Sequence, residues 1–243
     1  MVLAASACGS RSSSPLLPPI KANEAVTIEG DIDAFSAGEH DLWLIGPFDG
    51  PRFGEAPIGH VDESGHFSVT LPASVSWPRL PEEGSRQIEW IGKSDPGQAA
   101  RLREKAEAAL ETPELAIHGL GAGEYWEELH VEPTGLNAGR FGIVLRDGDR
   151  PVGDLVASNA DPARFPIPGQ HMLVWVYADR AGSVEGIANK LNALSSPEPR
   201  SWKLDLKPGW NAVTSQSEGP GVLNYMTQPI DEDLAWRVVA MPQ

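Results

Sequence analysis

The chain of 243 residues has a single cysteine, Cys8, so no intramolecular disulfide can form. It is also poor in positive charge. Nineteen Lys and Arg stand against 34 Asp and Glu, a formal net charge of −15 that repels nucleic acid and favours solubility. No nucleic-acid partner is expected. No run approaches the roughly 18–20 apolar residues that a transmembrane helix requires. Neither a Walker loop nor a Gly-x-Gly-x-x-Gly turn follows a strand pattern, which leaves nucleotide binding without support. The nearest approach to a nucleophile elbow, Gly182-Ser183-Val184-Glu185-Gly186, has the wrong spacing, and Cys8 is the only thiol. These patterns call for no cofactor and no catalytic residue.

Turn chemistry is abundant, with 25 glycines and 22 prolines. Such punctuation predicts short strands and an all-β fold of antiparallel β-sandwich domains with one short connecting α-helix. Four regions are expected. Residues 1–20 are an N-terminal stretch that ends in a flexible tether, 21–80 a small sandwich, 81–118 a connector with a helix at about 96–111, and 119–243 a larger sandwich.

Ala5-Ser6-Ala7-Cys8 resembles the lipobox of bacterial lipoproteins, where small residues precede a cysteine that is acylated and becomes the new N-terminus. Leu3 lies close to the position where that motif carries leucine. Met1 to Ala7 is too short for an apolar signal core and has no basic start, which points to a start upstream of Met1 or to a truncated chain. The stretch Gly9-Ser10-Arg11-Ser12-Ser13-Ser14-Pro15 has the composition of a flexible spacer. The resemblance implies lipidation at Cys8, a membrane contact through that N-terminal lipid anchor, and an extracytoplasmic place at the cell envelope.

In the first segment, Val26-Thr27-Ile28-Glu29-Gly30, Asp41-Leu42-Trp43-Leu44-Ile45-Gly46 and His66-Phe67-Ser68-Val69-Thr70-Leu71-Pro72 read as strands. Asp62-Glu63-Ser64-Gly65 is the turn before the last of them, with Gly65 suited to a positive φ. This order, over residues 24–75, resembles the carboxypeptidase-regulatory-like, transthyretin-like β-sandwich, and the resemblance implies an adhesive or scaffolding module. His60 and His66 flank the turn beside Asp62 and Glu63. A metal there would need His60 to share the outward face of His66, and a solvated hairpin tip is the plainer expectation.

The connector has a helix start: Asp95 as N-cap, Pro96 at the first helical position and Gln98 three residues after the cap. Ala99, Leu102, Ala106, Ala109 and Leu110 recur at helical spacing until Thr112-Pro113.

In the second segment, Phe141–Leu145 and Val152–Val156 form an expected hairpin at Asp147-Gly148. Met172–Ala178 is apolar on both faces, as a strand covered by two layers would be. Trp202, Leu204 and Leu206 alternate with Lys203 and Asp205, and Pro208-Gly209 suits a type II turn into Trp210–Thr214. Closing strands are expected at 221–226 and 235–241. The stretch Leu206-Lys207-Pro208-Gly209-Trp210-Asn211, with Val174-Trp175-Val176-Tyr177-Ala178-Asp179, resembles a hairpin of uncharacterised bacterial surface lipoproteins, a group without an assigned activity.

Glu128, His130 and Glu132 alternate along an expected strand and so share a face. Two carboxylates and an imidazole there can bind a cation or another polar ligand, or simply line a solvated strand. Asp31 with Asp33, and Asp231-Glu232-Asp233, lack the loop spacing of a calcium site. Among the eight tryptophans, Trp43, Trp175 and Trp202 fall at core positions, whereas Trp77, Trp90 and Trp126 are better placed to meet a sugar. The sequence thus reads as a binding or scaffolding protein of the bacterial envelope whose partner is an envelope protein or a glycan. The alternatives are a polysaccharide-binding module or a hydrolase built on the acidic and histidine cluster.

Overall fold

Stretches in which every second side chain is apolar become strands, because successive residues of a strand point to opposite faces. The computed structural model of the chain describes residues 20–21, 24–46, 57–75, 117–118, 124–164, 167–190, 198–219, 222–227 and 234–240; the side chains of 117–118, 124–129, 188–190 and 198–199 lie outside that description. Fourteen strands join in one mixed sheet. They are β1 Val26–Asp31, β2 His40–Ile45, β3 Gly59–Val61, β4 His66–Leu71, β5 Ile117–His118, β6 Glu124–Glu132 and β7 Ala138–Asp147. The others are β8 Arg150–Ser158, β9 His171–Ala178, β10 Gly182–Lys190, β11 Glu198–Leu206, β12 Gly209–Gly219, β13 Val222–Met226 and β14 Ala235–Ala240. The only helical element among the described residues is a 3-10 turn at Pro162–Arg164. The helix expected at about 96–111 lies outside them.

The all-β character read from the sequence is what the described residues adopt, in one large mixed sheet. Its strands run in the order β1-β4-β3-β2-β7-β8-β9-β12-β13-β11-β10-β6, with β14 on β8 and β5 on β7. The ladders are antiparallel except β11–β13 and β5–β7. Pairing of β2 with β7, from Asp41 opposite Arg146 to Ile45 opposite Gly142, carries the sheet from the first segment directly into the second. The two segments are therefore joined through their strands as well as through the connector.

Two apolar cores lie on either side of one wall. The first gathers Ile28, Leu42, Phe67 and Leu71 from the N-terminal strands with Ile143, Leu145, Trp210 and Trp236 from later ones. The second holds Val184, Trp202, Leu204, Leu206, Val213 and Tyr225. Strand β9 serves both: Leu173, Trp175 and Tyr177 enter the first core, Val176 and Ala178 the second, and Val174 packs against the second. That division is the structural content of a strand apolar on both faces.

Local chemistry sets the turns. Asp62 Oδ1 accepts from the Ser64 amide at 2.9 Å, the Ser64 hydroxyl at 2.6 Å and the His66 amide at 3.0 Å, while Gly65 takes φ 88°. Gly209 takes φ 90°, the positive value that the third position of a type II turn requires, but the strands it joins do not form a hairpin, because β13 lies between β11 and β12. Asn211 completes the turn by accepting from the Lys207 amide and donating to the carbonyls of Lys207 and Gly209, at 2.8–3.0 Å. At the same end of the β9–β12 ladder, where Ala178 stands opposite Gly209, the Asp179 carboxylate accepts from the Asn137 amide and side chain and from both arms of Arg180. Burial alone would push Asp179 up, but these bonds outweigh it and hold its carboxyl below the usual value.

One strand went unread in the sequence. Gly182–Lys190 carries two glycines and few branched residues, yet it forms β10 between β11 and β6. Close packing explains Gly182: a Cβ there would collide with the Glu132 carbonyl oxygen of β6.

The wall strands also grip the end of β4. The Trp210 indole N–H donates to the Pro72 carbonyl at 2.7 Å and the Tyr177 hydroxyl to the Ala73 carbonyl at 3.3 Å. Trp210 is 1% exposed and packs edge-on against both Phe141 and Tyr177. Trp210→Phe is expected to lower the unfolding free energy by about 1–3 kcal/mol, through the orphaned carbonyl and the lost ring volume. Urea unfolding should show an earlier midpoint at unchanged slope. Asn211→Ala, which leaves three backbone groups of the turn without their partner, should cost a similar amount by the same measurement.

Candidate functional site

Among the described residues strand β6 pairs with β10 alone and ends the strand order of the sheet. Its register sets Glu132 opposite Ser183, His130 opposite Glu185 and Glu128 opposite Ile187. The three residues singled out in the sequence therefore stand in one column on one face. His130 and Glu132 are exposed, and the side chain of Glu128 lies outside the described set. Alternate residues of a strand are about 7 Å apart, a distance that long side chains can span. The spacing that gives a shared face thus also spreads these groups along it.

The face continues across the neighbouring strands. Ser183 is opposite Asp205 and Glu185 opposite Lys203 on β11, while Ser201 and Lys203 lie beside Asn224 and Met226 of the parallel strand β13. Over β10, β11 and the end of β13 runs a groove of about 430 Å³, with Ser183, Glu185, Lys203, Asp205, Met226 and Thr227 along it. The chain is pinned at its rim, where the Asp205 amide donates to Thr227 Oγ1 at 2.9 Å and the Thr227 amide to the Lys203 carbonyl at 3.2 Å. Ser201 and Asn224 bond to each other, and Asn224 donates to Glu218 at 2.6 Å. The charged ends of Glu185, Lys203 and Asp205 face solvent, and all three residues are exposed. This arrangement offers separate positive and negative groups with hydroxyls between them, which suits recognition of a polar chain.

Sequence reasoning found the β6 column but missed the groove, because β10 was unread and the β11–β13 pairing joins residues more than twenty positions apart. The alternation of Lys203 and Asp205 with buried Trp202, Leu204 and Leu206 was the available signal.

Of the tryptophans, Trp175, Trp202, Trp210 and Trp236 are buried and Trp43 is half-buried. Trp202 stacks on Tyr225 with ring centroids 3.9 Å apart, inside the second core. Trp77, Trp90 and the side chain of Trp126 lie outside the described residues.

The turn histidines reach the same outer face, since His60 is opposite Ser68. Each is taken by a different acid: His66 Nδ1 is 2.9 Å from Asp31 Oδ1, and His60 Nδ1 is 3.8 Å from Asp41 Oδ1. Among the described residues no three His, Cys, Asp or Glu side chains are grouped as metal ligands. The hydrogen bond to Asp31 is the main cause that raises His66 above its ordinary value, and the bond from the Ser64 hydroxyl is the main cause that lowers Asp62.

A raised histidine stabilises the fold below its unfolded pKa of about 6.5, and the contribution fades as pH rises through the folded value. Asp31→Asn should therefore return the His66 titration, followed by NMR, towards 6.5. The Tm difference from wild type should be small, since both side chains are exposed, largest just below about pH 6.5 and fading as pH rises through the raised folded value of His66. No protein-family model, no curated protein and no solved structure matches the chain.

Proposed function

We propose that the protein is an extracytoplasmic lipoprotein, anchored through Cys8, that binds or scaffolds at the bacterial cell envelope. The observation that carries this reading is Ala5-Ser6-Ala7-Cys8 followed at once by a serine-rich spacer. Each buried methylene of an acyl chain contributes about 0.8 kcal/mol, and two or more chains hold a protein at a bilayer without a spanning helix. No helix among the described residues is long and apolar enough to cross a membrane. The β-rich fold and the polar groove suit a module that holds another envelope component. The likeness of residues 24–75 to transthyretin-like sandwiches, usually adhesive parts, belongs with this reading.

An envelope protein or glycan is the partner class, and recognition is favoured over hydrolysis because His130 and Glu132 stand exposed on an open sheet face. Hydrolysis needs an acid and a base converging on one bond. The test is metabolic labelling with a fatty-acid analogue in a host carrying the gene with its full upstream sequence. Wild type should incorporate label and fractionate with membranes, and Cys8→Ala should do neither. Equal labelling of the two removes the anchor.

A further inference from the structure

Charges of both signs surround the open space of the groove over β10, β11 and the end of β13. Val184, Trp202, Leu204 and Tyr225 turn into the second core. Ser183, Glu185, Lys203, Asp205 and Met226, their neighbours along the same strands, therefore point the other way, into the groove. Ladder register sorts these outward side chains into two rows. In the first, Ser183 has Glu132 of β6 on one side and Asp205 on the other. In the second, Glu185 lies between His130 and Lys203, with Met226 beyond Lys203. The rows are about 7 Å apart, the spacing of alternate residues along a strand. Glu132, Glu185, Lys203 and Asp205 are all exposed, and among the described residues no ion pair ties Lys203 to Glu185 or Asp205.

This pattern narrows the ligand. The first row sets two carboxylates around a hydroxyl with no cation between them, which suits a guanidinium or an ammonium. The net charge of −15 draws such a group in from a distance. In the second row Lys203 offers its charge to a carboxylate, and Met226 beside it gives an adaptable apolar contact to a side-chain stem. A ligand that answers both rows carries a cation and an anion about 7 Å apart. Alternate side chains of an extended peptide meet that condition, since they share one side of the chain at the same spacing. A glycan meets it less well. No aromatic side chain lines the groove to stack on a sugar ring, and a neutral sugar leaves the charges unanswered. The volume of about 430 Å³ falls within the roughly 300–1,000 Å³ of small-ligand sites and holds a short segment.

We propose that the groove binds an extended segment of an envelope protein that presents a basic residue and, two positions away, an acidic one. The basic side chain lies on Asp205 and Glu132 and the acidic one on Lys203. This site deepens the reading of the protein as an envelope binding module and rests on it.

The test uses the full chain and an end-blocked peptide, Gly-Arg-Gly-Glu-Gly, with Gln in place of its Arg or of its Glu in two control peptides. The parent peptide should shift the amide resonances of Ser183, Glu185, Lys203 and Asp205 saturably in an NMR titration at low salt. Asp205→Asn should weaken it by about three- to tenfold, and so should Lys203→Met. Both positions are exposed, so both variants should fold. Each loss should vanish when the group it answers is already gone: Asp205→Asn should leave the peptide without Arg unaffected, and Lys203→Met the peptide without Glu. Shifts that do not saturate, or losses equal for all three peptides, overturn the proposal. Cellohexaose moving the same amides saturably where the peptide does not would give the groove to a glycan and overturn it as well. Fatty-acid labelling of the Asp205→Asn chain should match wild type, so a failure of this site is read separately from a failure of the anchor at Cys8.

Discussion

Everything else in the molecule depends on a strand that cannot tolerate water on either face. Residues Met172 to Ala178 present apolar side chains to both sides, so β9 is stable only if two layers cover it. With β12 beside it, this strand becomes a wall between two cores. The N-terminal strands and β14 help to close the first, and β10, β11 and β13 close the second. The curling of one continuous sheet is thus a consequence of one over-apolar strand and the need to shield it twice.

The wall does more than separate cores. Its tryptophan and tyrosine reach beyond the apolar layer to backbone carbonyls at the end of β4, which gives two large side chains both their burial and their polar partner. Trp236 works similarly at the far corner, packing edge-on against Phe67 while its backbone bridges Ile32 and accepts from the Asp33 amide. An ion pair between Asp33 and Arg237 at 3.1 Å lies over that corner. These ties are spread along the chain, so the N-terminal hairpins are held by residues more than a hundred positions away. The polar groups that could act on a partner stand outside this frame, on outer faces of strands whose inner faces the cores have already committed.

Much of the fold was legible. Strands at Val26, His66 and Trp210 follow from alternation and those at Phe141 and Met172 from short apolar runs, while Gly65 and Pro208-Gly209 mark turns through backbone preferences alone. The type II turn and the role of Asn211 within it are local, which is why the motif around Trp210 could be read. Strand β10 was not legible, since Gly182 is required by the approach of β6, a contact that no local pattern announces. The alternation of Glu128, His130 and Glu132 was visible in the sequence, and the register places them opposite Ile187, Glu185 and Ser183. Their neighbours Glu185, Lys203 and Asp205 were not visible as such, because ladder register between distant strands has no local signal.

By itself the sequence determined the secondary structure class, the turns, the two-sided burial of β9 and the lipobox-like stretch around Cys8, all properties carried within a few residues. Only the tertiary structure decided that strands from the two segments share a core, that a groove opens across β10, β11 and β13, and that the Arg146 guanidinium packs over Trp43. Those outcomes depend on which strand edges meet. Edge pairing is settled by the closure of apolar faces over the whole chain, a global balance that individual segments do not encode.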